Sequence, residues 1–156
     1  MKIKIIAIGR LKEKSYTQIM DEFTKRIRPY CTFEVVEITP ETTKTSPNDS
    51  TIRQKEAEKI LAQIAQSAFV ITLQIDGKAL SSEAFATQIR EITNLGTSEL
   101  VFVIGGSVGL GEAVKERSNL AISFSKMTFT HQFARLMLVE QIYRAFKILN
   151  NETYHK

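Results

Sequence analysis

Hydrophobic residues recur along this chain with two alternating periods, and the alternation predicts the class of fold. Lys2 to Ile8 is dominated by β-branched residues and stops at Gly9, as a buried strand does. From Tyr16, the apolar positions Ile19, Met20, Phe23 and Ile27 recur at helical spacing until Pro29. Phe33 to Ile38 predicts a second strand, Thr39 to Ser50 an aperiodic, mobile loop, and Thr51 to about Ala65 a second helix. Phe69 to Gln74 predicts a third strand closed by an Asp76-Gly77 turn, after which Ser81 and Ser82 stand where they cap a helix running to about Asn94. Glu99 to Ile104 reads as the fourth strand, Glu112 to Arg117 as a short helix, and Leu120 to Phe124 as a short fifth strand. Strands alternating with helices imply one α/β domain with a mainly parallel sheet and helices on both faces, because parallel neighbours need long crossovers.

The last predicted helix, about His131 to Asn150, has more apolar surface than one sheet covers. At ~100° per residue, Leu138, Val139, Ile142, Ala145, Phe146 and Leu149 form one arc, with Leu136 and Tyr143 at its edge and Arg135 inside it. Glu140, Gln141, Arg144 and Lys147 lie opposite, interspersed with Phe133, Met137 and Ile148. A helix apolar on more than one face favours a second subunit, against the plainer reading of a core helix in a monomer.

Composition narrows the setting. The 156 residues, 43% hydrophobic and 24% charged, suit one ordinary globular core. A single cysteine, Cys31, with no Cys/His cluster of zinc spacing, points to a reducing cytoplasm and no structural metal. The N-terminal apolar run is broken by Lys4, far short of the ~20 residues a membrane span needs, so the chain is expected to be neither exported nor membrane-embedded. The net charge of +4 is uneven: residues 1–40 carry 8 basic and 5 acidic side chains, residues 41–98 carry 6 and 7, and residues 99–156 carry 7 and 5. Positive charge at both ends suits an RNA partner, although a mildly basic protein is often only a soluble one.

Two segments carry candidate chemistry. IGGSVGLGE, residues 104–112, joins a strand to a helix, where glycines let backbone approach a ligand or make a tight turn at positive φ. Gly106 and Gly111 have P-loop spacing, but Glu112 stands where the phosphate-binding lysine belongs. The order Gly106, Gly109, Gly111 also fails the dinucleotide fingerprint, which follows a first strand rather than a fourth. In the segment after the fifth strand, Ser123, Ser125, Lys126 and Thr128 alternate with Phe124, Met127 and Phe129. That mix can grip a flat ring and hydrogen-bond its edge, or simply join a strand to a helix.

The combination of IGG-x-x-G (Ile104 to Gly109), SFSKMT-x-x-H (Ser123 to His131), R-x-x-L-x-E-Q-x-Y-R-A (Arg135 to Ala145) and a terminal Tyr154-His155 resembles the ribosomal large subunit methyltransferase H family of the SPOUT superfamily. The resemblance spans essentially the whole chain, including the opening strand and its GRLKEK turn. It implies a homodimeric, S-adenosylmethionine-dependent enzyme that methylates N3 of a pseudouridine in a hairpin loop of 23S rRNA, within the large ribosomal subunit. It also implies a SPOUT-type α/β knot, a C-terminal trefoil that periodicity alone does not announce. Carried over, the cofactor contacts are Leu73, Gly105, Phe124, Ser125, Lys126, Met127, Thr128 and Phe129. One position departs: Thr153 replaces the usual Pro before Tyr-His, which loosens the tail but removes no reactive group.

Methyl transfer from a sulfonium needs alignment rather than a metal, and an imide nitrogen must also lose its proton. Arg144 and His155 are the catalytic candidates, Arg144 binding phosphate or stabilising developing charge and His155 contacting base or phosphate; Tyr154 is expected to stack on the RNA loop. Arg135 is either functional or paired with a carboxylate across the dimer, and His131 caps the last helix or orders the cofactor loop. With no appended RNA-binding domain, RNA is expected to bind across the dimer near Lys126 and Arg144, with an assembled subunit preferred over naked RNA. The rivals are a non-enzymatic RNA-binding or ribosome-associated factor and a nucleotide-dependent enzyme.

Overall fold

The computed structural model describes residues 1–42 and 49–156; the centre of the expected mobile loop lies outside them. The elements are β1 (Lys2–Ile8), α1 (Lys14–Ile27), β2 (Thr32–Ile38), α2 (Asp49–Leu61), β3 (Phe69–Ala79), α3 (Ser82–Asn94), β4 (Glu99–Ile104), α4 (Glu112–Arg117), β5 (Leu120–Ser123) and α5 (His131–Leu149). The five strands form one all-parallel sheet in the order β2-β1-β4-β3-β5.

Period-two alternation decides which helix each strand residue meets. Ile3, Ile5 and Ala7 of β1, Leu100, Phe102 and Ile104 of β4, and Ile71 of β3 join the core under α1, α3 and α5. Ile6, Ile8, Val101, Val103 and Val70 point the other way, to Ala57 and Ile60 of α2 and Val114 of α4. Crossovers toward β2 use the first face and those toward β5 the second, the pattern a single crossover handedness imposes. No helix among the described residues is long and apolar enough to cross a membrane.

Several predicted boundaries move. α1 starts at Lys14 rather than Tyr16, α2 runs from Asp49 to Leu61 rather than from Thr51 to Ala65, and β5 ends at Ser123. The larger correction concerns the Asp76-Gly77 turn: β3 does not stop there. Leu73 and Lys78 both pair with Ile122, so the residues between them bulge out and β3 rejoins β5 at Lys78 and Ala79. Gly77 serves close approach, since a Cβ there would lie 2.5 Å from the Ile122 carbonyl carbon.

α5 buries Leu138, Val139, Ile142, Ala145 and Phe146 between α1 and α3, as its arc predicts. Arg135, inside that arc, is 0% exposed. Its Nη1 meets Glu37 Oε1 of β2 at 2.5 Å and its Nη2 donates to the Gly9 carbonyl at 2.6 Å. The carboxylate partner belongs to the same chain, not to a second subunit. The buried guanidinium is tolerable because its charge is paired and both Nη groups donate, although its Nε has no partner among the described residues.

Candidate functional site

The carboxyl ends of β3, β4 and β5 open onto one cleft of about 990 Å³, where open parallel sheets place their ligands. β3 contributes Leu73 and the bulge residues Gln74, Ile75 and Asp76; β4 contributes the glycine loop; α2 closes one side with Arg53 and Leu61. The bulge and the α2 wall were not among the expected site residues, and nothing in the linear sequence marks them.

The glycines of the loop act mainly through closeness rather than through several positive φ angles. Only Gly109 has a positive φ, +79°, and it closes a turn by donating its amide to Gly106 O at 3.1 Å. A Cβ at Gly105 would stand 3.0 Å from the Gly109 carbonyl carbon, one at Gly106 2.9 Å from Ile8 Cγ2, and one at Gly111 2.6 Å from Arg53 O. The loop is thus folded on itself and wedged between β1 and α2. Arg53 Nη1 holds it from outside by donating to Val108 O at 3.3 Å.

Across the cleft, the chain leaving β5 forms a hydroxyl-stabilised turn. Ser123 Oγ donates to Ser125 O at 2.9 Å, and Ser125 Oγ accepts the Met127 amide at 3.0 Å. Seven of the eight expected cofactor contacts, Leu73, Gly105, Phe124, Ser125, Met127, Thr128 and Phe129, line this one cleft; Lys126 is exposed and does not. Thr130, not His131, caps α5, its hydroxyl accepting the Phe133 amide at 3.2 Å. His131 lines the cleft beside Gly9, and burial, with the charges of Arg135 and Lys12, lowers its pKa and favours the neutral ring. Among the described residues no group of three or more His, Cys, Asp or Glu is placed to hold a metal ion.

The other expected site residues assemble elsewhere. Arg144, Tyr154 and His155 do not line the cleft; they pack together where the tail folds back on α5. Arg144 donates to Glu140 at 2.5 Å and lies 4.7 Å from the centre of the Tyr154 ring. Tyr154 donates to Glu140 at 2.9 Å, and burial and that contact raise its pKa. His155 bridges Arg144, 3.3 Å from Nδ1, and Glu83, 2.7 Å from Nε2; a neutral ring protonated on Nε2 satisfies both. Glu83 is held down to about 2 by its own amide at the start of α3, by Ser81 and by His155.

A second hollow of about 470 Å³ opens between α1, α3 and α5, rimmed by Ile19, Phe133 and Met137 and touching Glu140 of the tail cluster. Ile122, Ser123 and Phe124 line both cavities, so the end of β5 separates them. Against known families, the family model described as predicted SPOUT methyltransferase matches residues 1–155.

Proposed function

The chain belongs to the SPOUT methyltransferase family, and on that basis we propose that it is a cytoplasmic homodimer that transfers a methyl group from S-adenosylmethionine to N3 of a pseudouridine in a hairpin loop of 23S rRNA. The supporting observation is the cleft in which Leu73, Gly105, Phe124, Ser125 and the run Met127 to Phe129, far apart in sequence, converge at the carboxyl edge of the sheet. S-adenosylmethionine brings an activated methyl carbon, which leaves alignment to the protein. Phe124 and Phe129 offer apolar faces to the adenine ring, and Ser125 Oγ, already accepting from Met127, keeps its proton for the ring edge. The expected trefoil knot belongs to the same reading, with the C-terminal segment threaded through a loop to build the cofactor site.

On the RNA side, Tyr154 and His155 meet the loop that carries the target, and Arg144 supplies positive charge once a substrate competes with Glu140. Ile19 and Phe133, 41% and 43% exposed beside the second hollow, give a second subunit an apolar surface to cover.

The test joins two measurements. Calorimetric titration is expected to show stoichiometric S-adenosylmethionine binding, and labelled donor with large ribosomal subunits lacking the modification is expected to mark one pseudouridine at N3. No donor binding would leave an RNA-binding factor without methyl transfer as the surviving reading. A label on any other nucleotide would overturn the substrate.

A further inference from the structure

Buried Arg135 and its more exposed partner Glu37 hold more than a helix, because both side chains also grip the loop that leaves β1. At Gly9 the chain turns with φ +88°; its amide donates to Ile38 O at 2.8 Å and its carbonyl accepts Arg135 Nη2 at 2.6 Å. The Leu11 amide then donates to Glu37 Oε1 at 3.3 Å and the Lys12 amide to Gln132 Oε1 at 2.9 Å. Backbone groups on three residues of a surface loop are therefore held by side chains of β2 and α5. The loop abuts the cleft, since a Cβ at Gly9 would stand 3.0 Å from Nε2 of His131, which lines it.

The side chains this backbone presents are cationic. Leu11 turns inward to the core, whereas Arg10, Lys12 and Lys14 are exposed, with Glu13 the one acid among them. None of these three cations forms a salt bridge among the described residues. Arg144, Arg26, Lys147 and Lys59 each have a carboxylate partner. No large exposed apolar side chain lies in the loop, so whatever it meets is met by charge.

We propose that residues 9–14, the loop after β1 and the first residue of α1, are a phosphate-backbone clamp for RNA, gripping the strand beside the target nucleotide while the base reaches the cleft; this rests on the RNA methyltransferase reading above. A polyanion with regularly spaced phosphates suits exposed Arg and Lys side chains without carboxylate partners on a held backbone. Folding has already ordered the backbone of the clamp, so binding need only immobilise the side-chain tips.

The experiment is methyl transfer to subunits lacking the modification, at several salt concentrations, by the parent and by the double variant Arg10→Ala/Lys12→Ala. The KM for subunits is expected to rise on the order of ten-fold with kcat and the calorimetric donor affinity unchanged, and the slope of log KM against log salt to fall by about 1.4 to 1.8 for two lost phosphate contacts. Glu13→Gln, which removes the opposing charge from a side chain that makes no cap hydrogen bond, is expected to lower KM. An unchanged KM and salt slope would overturn the clamp, as would a rise in KM matched by weaker donor binding, which would place the loop in cofactor binding instead. Failure of the parent to modify subunits despite tight donor binding would refute the RNA reading itself.

Discussion

Glu56 is 4% exposed on α2. Its Oε1 accepts the Glu41 amide at 3.1 Å, and its buried Oε2 has no partner among the described residues and would lie 3.4 Å from a Cβ at Gly106. Burial raises its pKa above the usual 4.5; the Glu41 charge acts in the same direction, against the Glu41 amide and Lys59. The folded state therefore binds the proton more tightly than the unfolded one. The stability this contributes is complete below 4.5 and is lost as the pH climbs through the raised value. In Glu56→Gln the loss cannot occur, so urea unfolding between pH 4 and 8 is expected to show the variant gaining on the parent as pH rises. A difference independent of pH would mean that the carboxyl does not titrate in that range. In the sequence, Glu56 looks like any solvated glutamate on a charged helix; only the approach of the glycine loop buries it. Arg135 was visible as a charge inside an apolar arc, but its partner lies 98 residues away on β2, where no spacing points to it.

Among the elements, the β3 bulge ties the sheet to the cleft. Gly77→Ala would press a methyl group onto the Ile122 backbone, moving β5 or expelling the bulge. The expected cost is about 2 kcal/mol of stability, with weaker donor binding, because Gln74 to Asp76 line the cleft. Gly109→Ala meets open space and only a strained φ, so about 1 kcal/mol is expected. Thermal unfolding of the two variants, with donor titration, checks the order; equal losses would mean that β5 yields freely. Strands and helices were legible because alternation and helical spacing record which face is buried, and the parallel sheet followed from their order. The bulge was not, because Asp-Gly has the chemistry of a turn and the reason for the glycine is a strand more than 40 residues later. Alternation marked the segment Phe124 to Phe129 in advance as one side of the cleft, and all of it but Lys126 lines it. Its α2 wall depends on how two distant elements pack.

For the whole molecule, the unpaired apolar surface on α1 and α5 bears on assembly. The proposed homodimer would cover Ile19 and Phe133, so sedimentation is expected to give a dimer for the parent and a monomer for Phe133→Glu, with the fold retained by circular dichroism. A parent that sediments as a monomer while fully active would remove the second subunit from the mechanism. The end of β5 has a bearing on either outcome. Because Phe124 lines both hollows, a substitution there alters a wall of each at once.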